Sequence, residues 1–263
     1  MAFGVTMKEV ILSDCIVIGF VNYGESDRIV KLFSSERGLI SAIAKRIRSH
    51  KHKWAGVLEI GQTLEVKLSP PKNDLWLLIG VQEVASTAIL RKDLLKLSTM
   101  QYCCEVTGVL SIPEDPNPKL HGLLVHTLKT LNDLPTPGSA ALNGFAVKAL
   151  AISGHSPQLK TCTFCGEVIG DDRLFHSSLG SMVHQHCMEK HTEAQTNHLF
   201  YTPKTWAEDV HNLLYQPMMS YWESSLGVLK NNKRSSTWLL TEMIEHTVER
   251  AIRSRSVLQT LYP

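Results

Sequence analysis

Three cysteines and one histidine are spaced as zinc ligands are. Two residues separate Cys162 from Cys165, and two more separate His184 from Cys187, with 18 residues between the pairs. Zinc takes four nitrogen or sulfur ligands at tetrahedral corners, and ligands two residues apart reach it from one tight turn. Gly166 suits such a turn because glycine tolerates a positive φ. We therefore expect one structural zinc ion on these four ligands.

Spacing alone does not decide which histidine is the fourth ligand. His191 could be the fourth ligand, together with Cys187, in place of His184. His186 is a poorer candidate because it neighbours Cys187, and two adjacent residues cannot easily both reach one ion from a tight turn. Four protein ligands leave no position for water, so the predicted site is structural rather than catalytic.

A run of positive charge follows a predicted strand at residues 44–53. It holds five basic residues and no acid, namely Lys45, Arg46, Arg48, Lys51 and Lys53. Trp54 comes next. Cationic loops that track phosphates, beside an aromatic ring that stacks on bases, are typical of single-strand binders. The alternative is a solvated charge run with Trp54 in the core.

The elements that must position these residues change type near residue 85. Apolar runs separated by turn residues predict five strands, at 10–21, 29–33, 39–43, 58–68 and 76–81, with Pro70 and Pro71 between the last two. Five short strands fit a closed barrel such as an OB-fold, and a single open sheet fits almost as well. The basic run would then lie between the third and fourth strands, where such barrels carry binding loops.

After residue 85 the apolar spacing becomes helical. Helices are predicted at 91–111, 117–133, 139–153, 203–215 and 236–262. We predict an α+β protein with an N-terminal β domain over 1–85, either an OB-fold barrel or an open sheet, a helical domain over 86–263, and a zinc-binding insert at about 160–192.

Composition limits the function classes. The 263 residues are 43% hydrophobic with a net charge of +2, which is an ordinary globular balance. No export leader is recognisable, and the longest apolar run, 75–79, is far too short to span a membrane. The chain has no phosphate loop, dinucleotide fingerprint, His-Glu-x-x-His or Gly-x-Ser-x-Gly motif. We expect a cytoplasmic protein, without a membrane partner, that is not an enzyme.

Three separated segments share their order and spacing with one known family. Residues 23–33 read YGESDRIVKLF and are followed by ERGLI at 36–40; residues 162–166 read CTFCG; residues 252–258 read IRSRSVL. Together they resemble the RecO family of bacterial recombination mediators, over almost the whole chain.

The resemblance implies an OB-fold, a helical domain with a zinc insert, and a role in DNA repair and homologous recombination. It implies binding of single- and double-stranded DNA, annealing of complementary strands, and work with RecR. Through these activities the protein would help RecA onto DNA coated by single-strand-binding protein, whose acidic tail the family contacts. The expected location is then the nucleoid. Carried onto this chain, DNA binding falls on Arg28, Arg37, Lys45, Arg46 and Arg48.

Two positions depart from the family pattern. His184 stands where four-cysteine members have cysteine. We expect zinc binding to be retained but to be weaker or more pH-dependent, because histidine must be neutral to ligate. Arg46 stands where the family usually has glycine, which changes the expected loop shape.

Two other functions compete with the mediator reading. A zinc-ribbon transcriptional regulator would prefer particular duplex sequences and anneal little. A metal-dependent hydrolase would use His176, His184 or His186 with Glu189 and would need an open metal position. It is the weakest reading, because no second set of catalytic groups is present.

Overall fold

The structure is a computed structural model that describes residues 9–49, 52–72, 75–170, 174–191, 198–203, 205–226 and 238–262. Lys51, one of the predicted DNA-binding residues, lies outside the described residues. The chain divides into two compact units, Met1–Leu128 and Lys129–Pro263. The last barrel strand ends at Ala85. The domain boundary predicted at this residue therefore separates strands from helices within the first unit, and as a domain boundary it stays a proposal.

Five strands of the first unit form a closed barrel in the order β1-β2-β3-β5-β4, with β4 paired back to β1. The strands are β1 Val10–Tyr23, β2 Asp27–Ser34, β3 Gly38–Ala44, β4 Thr63–Lys72 and β5 Leu75–Ala85. All pairs are antiparallel except β3 with β5. This is OB-fold topology, so the predicted fold class is confirmed and the open-sheet alternative is wrong.

Alternating side chains fill the barrel. In β3 the side chains of Ile40, Ala42 and Ala44 are fully buried, whereas Ser41 and Ile43 are partly exposed. Such alternation follows from the two-residue period of a strand, which sends every second side chain to the interior. Two register shifts in β1 bend this long strand so that it can pair with both β2 and β4.

The fourth strand begins and ends later than its apolar pattern predicted. Leu58 and Ile60 precede β4, and Pro70 and Pro71 lie inside it rather than after it. The pairing of β4 with β5 shifts between Ser69 and Lys72, so the prolines sit at an irregularity of the ladder. Proline lacks a backbone N–H, and irregular ladder positions are where strands tolerate it.

Gly38 allows a close approach at the turn before β3. Its φ is +64°, and a Cβ built there would lie 2.0 Å from the carbonyl oxygen of Asp115. Next to Asp115, Glu114 accepts a hydrogen bond of 2.9 Å from the indole N–H of Trp76. Any larger side chain at position 38 would push this segment off the barrel.

The described helices are α1 Leu94–Leu110, α2 Pro118–Asp133, α3 Ser139–Ile152, α4 Gln185–Lys190, α5 Trp206–Tyr215, α6 Leu239–Thr247 and α7 Ser254–Leu261. A small antiparallel sheet in the second unit has the order β7-β6-β8, from β6 Leu174–His176, β7 Ser181–Val183 and β8 Leu199–Tyr201. The core of the second unit forms where the nearly all-buried α3 packs against α5 and α6.

The single helix predicted at 236–262 is wrong, because two helices occupy this span. Glu249 has a φ of +51°, the left-handed region that ends helices. The backbone N–H of Arg250 donates to Glu245 O at 3.1 Å, and that of Glu249 donates to His246 O at 3.4 Å. These two bonds form a Schellman motif, which closes α6 before α7 begins.

Within the described part of the chain, no helix combines the length and the hydropathy needed to cross a bilayer.

Candidate metal centre and nucleic-acid interface

The ligand atoms of Cys162, Cys165, His184 and Cys187 all lie within 4.8 Å of one another. Cys162 and Cys165 flank one turn, His184 follows β7, and Cys187 lies in the first turn of α4. With Zn–S bonds near 2.3 Å, tetrahedral geometry places sulfur ligands about 3.8 Å apart. The four side chains are therefore already spaced to surround a tetrahedral ion.

Hydrogen bonds prepare one thiol of this cysteine cluster for metal binding. Burial acts to raise the pKa of the Cys162 thiol, but hydrogen bonds from the backbone amides of Cys165, His184 and Phe164 outweigh it and lower the pKa to about 6. The sulfur of Cys165 lies 3.4 Å from Nδ1 of His184, so the imidazole presents this nitrogen to the cluster. The thiolate is the form that ligates metals.

Backbone contacts fix the knuckle that carries the first two cysteines. Gly166 has a φ of +77°, and its N–H donates to Cys162 O at 2.9 Å. The N–H of Thr163 donates to Met182 O in β7 at 3.3 Å, which ties the knuckle to the strand that precedes His184. The positive φ expected at Gly166 is thus present.

The other candidate histidines lie outside the cysteine cluster. His186 is exposed, with its ring 5.0 Å from that of His184, and His191 stacks on Phe164 at 4.3 Å. Glu189 accepts a hydrogen bond from Gln185 instead of joining the ligands. Among the described residues, the geometry therefore singles out His184 and gives the hydrolase reading no carboxylate at this metal centre.

The basic segment is organised by Asp27 at one end of the barrel. Its Oδ1 accepts the backbone N–H of Arg46 at 2.8 Å, and its Oδ2 accepts from Nζ of Lys45 at 2.7 Å. These two hydrogen bonds lower the pKa of the Asp27 carboxyl. The N–H of Arg48 donates to Ser26 O at 3.0 Å, which holds the segment against the β1–β2 turn.

The structure brings five of the predicted DNA-binding residues to this end of the barrel, and we call them the basic rim: Arg28, Lys45, Arg46, Arg48 and Lys53. A cavity of about 210 Å³ opens here and is lined in part by Arg28, Arg48 and Trp54.

Arg37 lies at the other end of the β2–β3 hairpin. The hairpin pairs without a break from Arg28–Ala44 to Ser34–Gly38, so about 20 Å of strand separates the two ends. The guanidinium of Arg37 lies 5.0 Å from the ring centroid of Trp76. The structure therefore does not bring Arg37 into the basic rim.

Ion pairs divide the basic rim into two groups. Lys45 pairs with Asp27 at 2.7 Å, and Arg28 pairs with Glu59 at 3.7 Å. Within the described ranges, the other three residues form no salt bridge; they are Arg46, Arg48 and Lys53, all exposed. These three cations are the ones most available to phosphates.

The aromatic residue at the basic rim differs from the one that the sequence suggested. Trp54 is only 9% exposed and belongs to the barrel core, while the ammonium of Lys53 lies 5.0 Å from its ring centroid. Tyr23 is 51% exposed at the end of β1, beside the turn whose Gly24 carbonyl accepts from Arg48 at 3.4 Å. Tyr23 follows an apolar run and begins a Tyr-Gly turn, and this position in the sequence could have indicated an exposed aromatic ring.

We expect Arg46→Gly to raise the free energy of unfolding by up to about 1 kcal/mol. Arg46 has a φ of +54°, which costs an L-residue about 1–2 kcal/mol, partly offset by the larger unfolded-state entropy of glycine. The backbone hydrogen bond to Asp27 is kept. Urea unfolding measures the change, and Arg46→Ala, which keeps the Cβ, should show no gain. A less stable Arg46→Gly would contradict the strain argument.

Comparison with known proteins gives a consistent result over most of the chain. The family model described as Recombination protein O N terminal matches residues 7–85, and Recombination protein O C terminal matches residues 91–256. The first match contains all five barrel strands, and the second contains the cysteine cluster.

Relatives named DNA repair protein RecO align with the same chain. The protein of Myxococcus xanthus (strain DK1622) is 33% identical over 174 residues, which cover 66% of this chain and 71% of the relative. That of Anaeromyxobacter dehalogenans (strain 2CP-C) is 35% identical over 157 residues, covering 59% of this chain and 61% of the relative. The alignment thus spans less than two thirds of the second relative.

Proposed function

Because the chain belongs to the RecO family, we propose that it acts in DNA repair and homologous recombination by binding single- and double-stranded DNA and annealing complementary strands. The observation that carries the proposal is the basic rim, a group of cations at one end of a closed OB barrel. Three of its exposed cations lack a salt bridge to a described residue, which supports a role in contacting phosphates.

The proposed mechanism needs no bond making, and the protein is then not an enzyme. Two complementary strands repel each other through their phosphates, and a cationic surface that neutralises both lowers this repulsion. Base pairing then supplies the free energy of annealing. Each neutralised phosphate releases counterions, so affinity falls with salt at a log–log slope of about 0.9 per phosphate on duplex DNA and 0.7 on single strands.

The proposed partners follow from the family. We propose that the protein works with RecR, contacts the acidic tail of single-strand-binding protein, and so helps RecA indirectly onto coated DNA, in the cytoplasm and at the nucleoid. We further propose that the cysteine cluster holds one zinc ion. Three thiols and one imidazole suit zinc, and a closed four-ligand set gives this ion a structural role.

The test is the annealing of two complementary dye-labelled oligonucleotides, one coated with single-strand-binding protein, with and without this protein. We expect faster annealing that weakens steeply between about 50 and 200 mM salt. No acceleration, or a flat salt response, would overturn the proposal. Tight binding to one duplex sequence without annealing would instead support the regulator reading.

We expect Tyr23→Ala to weaken binding to single-stranded DNA by about 1–3 kcal/mol, because an exposed ring beside cations can stack on one base. The salt slope should not change, since no charge is lost. Fluorescence anisotropy at several salt concentrations measures both quantities, and Tyr23→Phe, which keeps the ring, should bind like wild type. Equal affinities for Tyr23→Ala and wild type would show that Tyr23 does not stack.

A further inference from the structure

A second group of metal-ligating side chains lies in the second unit and shares no residue with the cysteine cluster. Nδ1 or Nε2 of His198 and His246 and a carboxylate oxygen of Glu242 all lie within 4.8 Å of one another. We propose that these three side chains bind a second divalent transition cation, of the class of Zn²⁺. This inference does not depend on the proposed role in DNA annealing.

The distances within this histidine–glutamate cluster match a metal coordination sphere. Nδ1 of His198 lies 3.0 Å from Nε2 of His246 and 3.5 Å from Oε1 of Glu242. With bonds of 2.0–2.1 Å to nitrogen and oxygen, tetrahedral geometry places neighbouring ligands about 3.3 Å apart. The two imidazole rings are nearly perpendicular, at 80°.

Hydrogen bonds alone do not account well for the close approach of these three side chains. Nδ1 of His198 carries either one hydrogen or one lone pair, yet it faces both an imidazole nitrogen and a carboxylate oxygen. One hydrogen cannot serve two acceptors well, and a lone pair at Nδ1 would be repelled by the carboxylate. A cation at the centre attracts all three atoms at once.

The surrounding structure holds each ligand in place. Glu242 and His246 are four residues apart on α6, so their side chains share one face of the helix. His198 precedes β8, and its carbonyl accepts the N–H of Ser177 at 2.9 Å. Arg255 donates to Oε2 of Glu242 at 3.4 Å, and Ser177 Oγ donates to Oε1 at 3.1 Å, so the carboxylate is held with Oε1 3.5 Å from Nδ1 of His198.

The local charge favours an added cation. The side chain of Glu242 is 10% exposed and that of Glu245 is 19% exposed, and Arg255 pairs with both. With neutral histidines these three groups carry a net charge of −1. The chemistry of the set, two imidazoles and one carboxylate, is a known zinc combination with one position left for water.

An ion can reach the cluster from solvent. A cavity of about 340 Å³ is lined by Glu245, His246, Glu249, Arg250 and Ala251. His246 lies both in the cluster and on this open surface, which carries two acidic residues and one arginine.

The test titrates metal-free full-length protein with Co²⁺ and then displaces it with Zn²⁺, counting bound ions by elemental analysis. We expect two equivalents. The cobalt at the cysteine cluster shows an intense thiolate-to-metal charge-transfer band, whereas the second cobalt shows only weak ligand-field bands because no sulfur binds it. His246→Gln should lose the second equivalent and keep the thiolate band.

The controls separate this site from other causes. His155→Gln removes an exposed histidine of the same unit and should retain both equivalents. His198→Gln should also lose the second equivalent, from a ligand just before β8 instead of one on α6, and circular dichroism checks that each variant is folded. One equivalent in the wild type, or two in folded His246→Gln and His198→Gln, would overturn the proposal. Loss of the second ion in His155→Gln would show adventitious surface binding and overturn it too.

Discussion

Replacing Cys162 with serine is expected to abolish zinc binding at the cysteine cluster and to destabilise the second unit by more than about 4 kcal/mol, the range in which metal loss falls. Binding free energies of structural zinc reach about 10–16 kcal/mol in zinc-finger peptides and act there as folding free energy. Cys162 is the thiol that the backbone amides of Cys165, His184 and Phe164 already hold toward the thiolate form.

The physical reason for so large an effect is the small core around this metal centre. The hydrophobic cluster here consists of five buried residues, Cys162, Leu174, Val183, Cys187 and Met188, of which two are the ligands themselves. The sheet beside it has three-residue strands. So little apolar burial does not offset the entropy of ordering the insert without a metal.

Thermal unfolding with and without a chelator, together with the cobalt thiolate band, measures this prediction. The melting temperature of wild type should fall when the chelator is added. That of Cys162→Ser should be low from the start, and the chelator should remove no further metal from the cysteine cluster. His184→Cys restores a four-cysteine set and should keep the ion. Cys103→Ala, which removes a buried thiol of α1 in the first unit, should leave chelator sensitivity unchanged. A Cys162→Ser protein with wild-type stability and an intact thiolate band would contradict the assignment.

The double substitution Arg48→Glu/Lys53→Glu is expected to weaken DNA binding by roughly 10- to 100-fold near physiological salt and to reduce the salt slope by about 2. Both side chains are exposed and, among the described residues, form no salt bridge. Reversing them therefore breaks no ion pair of the fold. Lys45 is a poorer choice, because a glutamate there would face Asp27.

Affinity measured over a salt series, with annealing rates alongside, tests the basic rim directly. The matched control is Lys92→Glu/Lys119→Glu, which makes the same change of net charge at exposed positions of the first unit outside the barrel strands. If both doubles weaken binding equally, net charge rather than the basic rim controls affinity. Arg37→Glu, measured in the same way, tests whether bound DNA reaches the opposite end of the hairpin, where this arginine lies over Trp76. A weaker affinity would indicate that it does.

The sequence alone was sufficient for the fold class and the family. Strand alternation and helical spacing are local patterns, so they predicted the β-to-α change near Ala85. The resemblance to the RecO family favoured the OB barrel over an open sheet, and the strand order confirms the barrel. The short spacing of Cys162 to Cys165 is local too. Two cysteines separated by two residues and followed by a glycine can reach one metal ion from a single tight turn.

Interactions between distant segments were decided only by the tertiary structure. Pairing of Arg28 with Glu59, burial of Trp54 and the placement of Arg37 at the far end of the hairpin depend on how the barrel closes. The helix break at Glu249 was also missed, since its left-handed backbone lacks the usual glycine.

The two candidate metal centres show the same division. In the cysteine cluster the sequence predicted four ligands but did not decide which of three histidines is one of them. The packing of α4 against the knuckle places His184, and not the other two, among the cysteines. In the histidine–glutamate cluster, His198 is 44 residues from Glu242, and neither lies in a recognisable motif. Their meeting depends on the contact of the β6–β7 turn with α6, where Ser177 hydrogen-bonds both residues. Residue types and short spacings reveal chemistry within one turn, whereas chemistry assembled across a fold becomes visible only when the chain is packed.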